Sequence, residues 1–250
     1  MKKLILLILL LPTLCFGGSI QDAHKAVIAR KNAAPTYHAG TENGGGTEGT
    51  NTVTVAVTAV SASNQCFVMY AGWTTPAQTV NTITFDGSAM TLIEDQPSGT
   101  LARHSVMYYY VGSAISGAKN VILTLSGNVD DLDMWVAQFD GVKTTDPIDV
   151  SVDGEAAGAD PQEISLAVTT TGDNKLIVSG VTTGIENVTH SACDSTGQTE
   201  FSDYTTGDSL TISGGYFDMV SAGEKYQCWG SSVASWAQQE IIVALNPVGS

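Results

Sequence analysis

A chain of 250 residues with 10 basic and 25 acidic side chains, net charge −15, offers little to a polyanion. Nucleic acid and anionic membrane surfaces are disfavoured as partners, because both are held through clustered Lys and Arg. Charged residues make up only 14% of the chain against 26 glycines, which with its many Thr, Ser and Val fits an extracellular β-rich protein with a hydroxylated surface.

The chain opens on "MKKLILLILLLPTLCFGG", two lysines before an apolar run of secretory length and then small residues, which predicts a signal peptide over 1–17. The run is too short to span a bilayer and no later segment is longer, so no membrane span is expected. Leu14 before Cys15 is not the small residue a lipidation site wants. Residues 18–51 read as a short helical tether, capped by Ser19 and stopped by Pro35, followed by a Gly-rich linker, "TYHAGTENGGGTEGTN".

From residue 52 short apolar or alternating runs are divided by Gly, Asp, Asn and Ser, which predicts strands near 52–60, 65–73, 80–85, 88–94, 104–111, 119–126 and 132–140. Asp86-Gly87 between two such runs is a hairpin signal. The pattern then recurs. "VTVAVTAVSASNQCFVMYAG" at 53 aligns with "ISLAVTTTGDNKLIVSGV" at 164, "AISGAKNVILTL" at 114 with "MVSAGEKYQCWG" at 219, and "WVAQFDGV" at 135 with "IIVALNPV" at 241. The fold expected is all-β, two tandem antiparallel β-sandwich domains over 52–142 and 163–248, joined by an acidic, Pro-containing linker over 143–162.

The strands "NxxFVMYAG" and "NKLIVSG", the hairpin "ITFDGSAMTLI", the pair "VMYYYVGSAISGAKNVILTL" and the segment "VAQFDGVKTTDPID" resemble jelly-roll-like sandwich modules of secreted bacterial and phage or metagenomic virion-associated proteins. The resemblance spans nearly all of 52–248 and implies a surface module that is adhesive, often glycan-directed, or architectural. None of these stretches is a catalytic signature.

Three cysteines follow the leader, so at most one internal disulfide can form. Cys193 with Cys228 is the expected pair. Cys66 aligns with a core leucine and is expected to be a buried free thiol; Cys228 falls opposite Leu123, which leaves an inter-strand bridge inside a sandwich open to it.

Chemistry is sparse. His104 and His190 lie in no nucleophile-elbow setting and read as exposed strand-edge histidines. Glu94 with Glu200 is a carboxylate pair that sequence leaves open for glycoside cleavage. "NVDDLDMW" gathers Asp130, Asp131 and Asp133, a hard-oxygen cluster suited to calcium. Among aromatics, "VMYYYV" places Tyr108 and Tyr110 on one face of a strand and Tyr109 on the other, and Trp73 and Trp236 border turns. These five are the candidate ligand-binding residues, because sugar rings stack on flat aromatic faces while nearby Asp, Asn and Gln take their hydroxyls. The function expected is a secreted, non-enzymatic binding or adhesion protein recognising a glycan or cell-surface polysaccharide. A self-associating virion or surface-assembly subunit and a polysaccharide-active enzyme are the rival readings.

Overall fold

The structure is a computed structural model that describes residues 33–98, 103–157, 163–184, 188–193, 197–205, 210–218, 221–232 and 237–250. The signal segment and nearly all of the expected helix lie outside these residues, as does Trp236. Every strand pairing among the described residues is antiparallel, and no helix there is long and apolar enough to cross a membrane.

The first half contributes β1 (Thr36–Tyr37), β2 (Asn43–Ala59), β3 (Gln65–Thr74), β4 (Val80–Phe85), β5 (Ser88–Ala89), β6 (Thr91–Pro97), β7 (Arg103–Gly112) and β8 (Gly117–Asp140). These form one sheet in which β2 and β8 run alongside each other for most of their lengths. Their register slips between Thr50 and Thr52, where the partner on β8 jumps from Val129 to Thr124. A bulge bends both strands, so each leaves one layer and continues in another. The first layer is the end of β2, the start of β8, β4 and β5; the second is the start of β2 and the end of β8 with β3, β7 and β6. Val53, Val55, Val57 and Ala59 face the second layer and pack on Phe67, Met69, Ala71 and Trp73, while the intervening Thr54, Ala56 and Thr58 are exposed. Asp86 and Gly87 both have positive φ, 49° and 83°, as a tight hairpin turn requires.

The second half contributes β9 (Ile148–Ala157), β10 (Glu163–Thr170), β11 (Leu176–Thr183), β12 (His190–Ala192), β13 (Thr199–Thr205), β14 (Thr211–Asp218), β15 (Gly223–Ser231) and β16 (Ala237–Leu245). One sheet has the order β13-β14-β11-β16-β9 and the other β10-β15-β12. Val168, Ile177, Ile242, Ala244 and, beside them, Ile164, Val181 and Trp229 fill the space between them. Cys193 and Cys228 are joined by a disulfide with Cα atoms 5.4 Å apart, and Cys66 is a buried free thiol.

The halves meet face to face. Cys66, Val68, Tyr70, Trp135, Ala137 and Phe139 pack on Leu176, Val178, Ile212, Ile241, Val243 and Leu245, so the two central layers are covered on both sides. That is why "CFVMYAGW" and "LIVSGVTT" read as unbroken buried runs rather than alternating ones. Tyr70 lies over Gly180, where an added Cβ would come within 2.4 Å of the Tyr70 ring. Its hydroxyl is 2.6 Å from Thr182 Oγ1 and donates to the Gln239 carbonyl at 3.3 Å.

Two expected linkers are strands. Within the Gly-rich stretch of 18–51, residues 43–50 pair with β8, and the glycines serve close packing: a Cβ on Gly44 would meet the Tyr204 ring at 2.8 Å, and one on Gly45 would meet Val55 at 3.0 Å. Tyr37 stacks on Phe201 and Tyr216 at 5.2 and 4.9 Å, which ties this segment to both halves. Within 143–162, β9 pairs with β16 through nine registered positions. Ile148, Val150 and Val152 supply the alternation, and polar residues between them gave the segment its connector-like composition.

Candidate functional site

The layer that ends in β4 closes with only two residue pairs to β5, Thr84 with Ala89 and Phe85 with Ser88. Its edge therefore stops short of the opposing β7. On β7 the strand alternation turns Tyr108 and Tyr110 toward this edge, half-buried against the core beneath it, and turns Tyr109 toward the other half of the chain. A groove of about 330 Å³ is lined by Tyr108 with Val80, Asn81, Thr82, Ile83, Thr84, Ala89 and Met90. A second of about 180 Å³ is lined by Tyr110 with Phe85, Asp86, Ser88, Ile115 and Lys119. The hairpin of β4 and β5 borders both.

Each groove combines an aromatic surface with short polar groups. Tyr110 stacks on Phe85 at 4.8 Å and 13°, which fixes its ring. Tyr108 is registered with Leu92, a 46% exposed leucine on β6. Burial, and then the charge of Asp95, raises the Tyr108 phenol above its ordinary value, so the hydroxyl stays a hydrogen-bond donor at neutral pH. Asp86 and Lys119 form an ion pair at 2.7 Å beside the smaller groove. Of the polar lining, Asn81, Thr82, Thr84 and Lys119 are not singled out in the sequence, and Asp86 reads there only as a turn residue. The signal for this lining was the polar half of the alternating "VNTITF" and the hairpin next to it.

The other sequence candidates are placed elsewhere. Trp73 is fully buried and stacks on His104 at 4.3 Å, because β3 continues through Thr74 and keeps it on the core face. Both histidines are buried rather than exposed: His104 is paired with Asp95, and His190 sits 2.5 Å from Ser213 Oγ. Asp130 is exposed, whereas Asp131 and Asp133 are buried; alternation along β8 sends Asp130 to the opposite face, so the three carboxylates do not converge on one ion. Burial lowers the Arg103 guanidinium, and Asp131 opposes that shift.

Ser213, His190 and Asp203 come together, but not as a proton relay. Ser213 and Asp203 both approach His190 Nδ1, the carboxylate at 3.5 Å, while a relay needs them on opposite ring nitrogens. A bulge between Glu200 and Ser202 brings Glu200 to the face of Asp203, and burial followed by that neighbouring charge pushes Glu200 up to about 7. Glu94 instead accepts a hydrogen bond from Ser151 at 2.5 Å, so it and Glu200 have different partners. No protein-family model matches the chain, and no curated protein matches it significantly.

Proposed function

We propose that this is a secreted, non-enzymatic binding or adhesion protein that recognises carbohydrate in the grooves at Tyr108 and Tyr110. The observation that carries the reading is the larger groove, with a half-exposed tyrosine held against the apolar core and Asn81, Thr82 and Thr84 along its side. A sugar ring needs that pairing, a flat apolar face for its C–H side and short hydrogen-bonding groups for its hydroxyls. The acidic chain would not hold a sulfated or phosphorylated polymer by charge, so the ligand is a neutral or amino sugar.

The scaffold we propose is one jelly-roll-like sandwich unit used twice. Two registers support this. Val68 lies between Tyr109 and Ala137, and Val178 lies between Tyr216 and Val243, in sheets ordered β6-β7-β3-β8 and β13-β14-β11-β16. The edge strands bulge at matching points, between Leu92 and Glu94 and between Glu200 and Ser202.

A glycan-array screen of the chain tests the function. Binding is expected, and Tyr108→Ala is expected to weaken it by about tenfold, the worth of one aromatic stack, in a chain that still unfolds cooperatively at a somewhat lower temperature because the ring also packs on the core. Equal binding by Tyr108→Ala would move the ligand to another surface, and an array without hits would sink the carbohydrate reading.

A further inference from the structure

Leu176 at the start of β11 is registered with Leu245 at the end of β16, so the next residues outward, Lys175 and Asn246, lie side by side. Both are buried, at 3% and 8% exposure. Lys175 Nζ donates to Asn246 Oδ1 and lies 3.4 Å from Asp149 Oδ1, a carboxylate that is itself 7% exposed. Each group is oriented by further contacts. Asn246 Nδ2 donates to the Asp146 carbonyl at 2.9 Å, which leaves Oδ1 toward the amine. Asp149 accepts from Thr171 N at 2.8 Å and Thr171 Oγ1 at 2.5 Å. The lysine stem crosses Gly172, where a Cβ would meet Cε at 3.3 Å and Nζ at 3.4 Å.

We propose that Lys175 and Asn246 join as an intramolecular amide crosslink, with Asp149 as the group that takes and returns the proton. An amine hydrogen-bonded to an amide oxygen is one bond from that amide's carbon, and fixing the two supplies the orientation that a reaction between free molecules lacks. Burial pushes the Asp149 carboxyl up, but the two Thr171 hydrogen bonds and the Lys175 charge outweigh it and hold the group below its ordinary value, so the ion pair is the resting form; transfer of a proton from the ammonium to Asp149 gives the less populated neutral pair, in which the amine is nucleophilic. Nζ then attacks Cγ, the Nζ–Cγ bond forms and the Cγ–Nδ2 bond breaks. The departing nitrogen takes the protons released by Nζ and Asp149 and leaves as ammonium. No oxidant or reductant is consumed, and Asp149 ends as a carboxylate. A recess of about 220 Å³, lined by Asp173, Asn174, Pro247 and Ser250, opens beside the chain neighbours of both reacting residues and gives ammonia an exit.

The first half supplies a contrast. Cys66 is registered with Phe139, so Gln65 and Asp140 occupy the matching strand ends. Gln65 Nε2 donates to the Val60 and Ile115 carbonyls, and Asp140 is paired with His38 at 2.6 Å. With no amine at that position, only the second half can close the bond, which would clamp its last strand to its central one.

Mass spectrometry of the reduced chain decides this. The mass is expected to fall about 17 Da below that of the sequence, the loss of one ammonia. Trypsin should fail to cut the denatured chain after Lys175, and the digest should hold one peptide joining Lys175 to Asn246. Lys175→Arg and Asn246→Ala should both show full mass, as should Asp149→Asn with its lysine and asparagine intact. Full mass and cleavage after Lys175 in the unaltered chain would overturn the crosslink without any variant. A crosslinked Asp149→Asn would overturn the role of Asp149.

Discussion

Tyr70→Ala is expected to lower the unfolding free energy by about 3–5 kcal/mol, the range for removing a large buried side chain from a packed core. The ring is fully buried between the halves, stacks toward Trp135 at 5.8 Å and lies over Gly180. Its removal also strips Thr182 Oγ1 of a partner 2.6 Å away. Gly180→Ala is expected to cost about 1–3 kcal/mol, because its Cβ would fall 2.4 Å from the ring and neither central layer can retreat. The informative result is the pair. With Tyr70 already reduced to alanine, the methyl at 180 meets empty space, so the double variant should be less destabilised than the sum of the two. Urea unfolding of all four chains measures the coupling, and strict additivity would mean that Tyr70 and Gly180 do not share one packing contact.

Much of this fold is written in the sequence as periodicity. The alternation of "TVTVAVTA" marks a strand with one wet face, and the unbroken "CFVMYAGW" marks one covered on both. The second signal says that something must lie over β3, but not that it is the other half of the same chain. Periodicity fails where the side chains are absent or polar. Residues 43–50 are a strand because β8 offers backbone partners and because Tyr204 and Val55 need the room that glycine leaves, and neither cause is local. Trp73 shows the converse error, since a turn signal two residues on made it look exposed while the strand still held it inward.

A one-residue slip has larger effects, because it moves a side chain to the other face of the sheet. The sequence alignment set Cys228 against Leu123. The registers instead put Gly117 opposite Ala59 and Gly223 opposite Thr170, which moves the match to Ile122, a residue on the exposed face. Cys228 is accordingly half-exposed, able to meet Cys193, while Trp229 takes the core position of Leu123. The groove residues were half legible for the same reason. Alternation separates Tyr108 and Tyr110 from Tyr109, but only the shortness of β5 shows which pair lies at an open edge. Lys175 stands 71 residues from Asn246 and 26 from Asp149 along the chain, and only the pairing of strands brings the three together.

Glu240→Met is expected to stabilise the protein, by roughly 2–4 kcal/mol near pH 8, the scale of relieving an uncompensated buried carboxyl group. Glu240 is fully buried, and neither of its carboxyl oxygens has a hydrogen-bond partner among the described residues. Its strand neighbours are Val181 and Gly154, neither of which can answer a charge. In the first half, the strand position that matches it holds Met134, so the scaffold accepts a thioether there. Burial raises the Glu240 carboxyl well above its ordinary value. An acid whose folded value is raised contributes most below its unfolded value of about 4.3, where both states are protonated, and its contribution falls as pH rises toward the folded value. The unaltered chain should therefore lose stability between pH 5 and pH 8 on account of this residue, while the methionine variant loses less. Urea midpoints at the two pH values give the difference. Glu240→Gln separates the causes, since it removes the charge but keeps an unpaired amide, and should recover only part of the gain at pH 8. A gain equal at pH 5 and pH 8 would assign the effect to packing alone and show that Glu240 does not ionise at a cost in the folded chain.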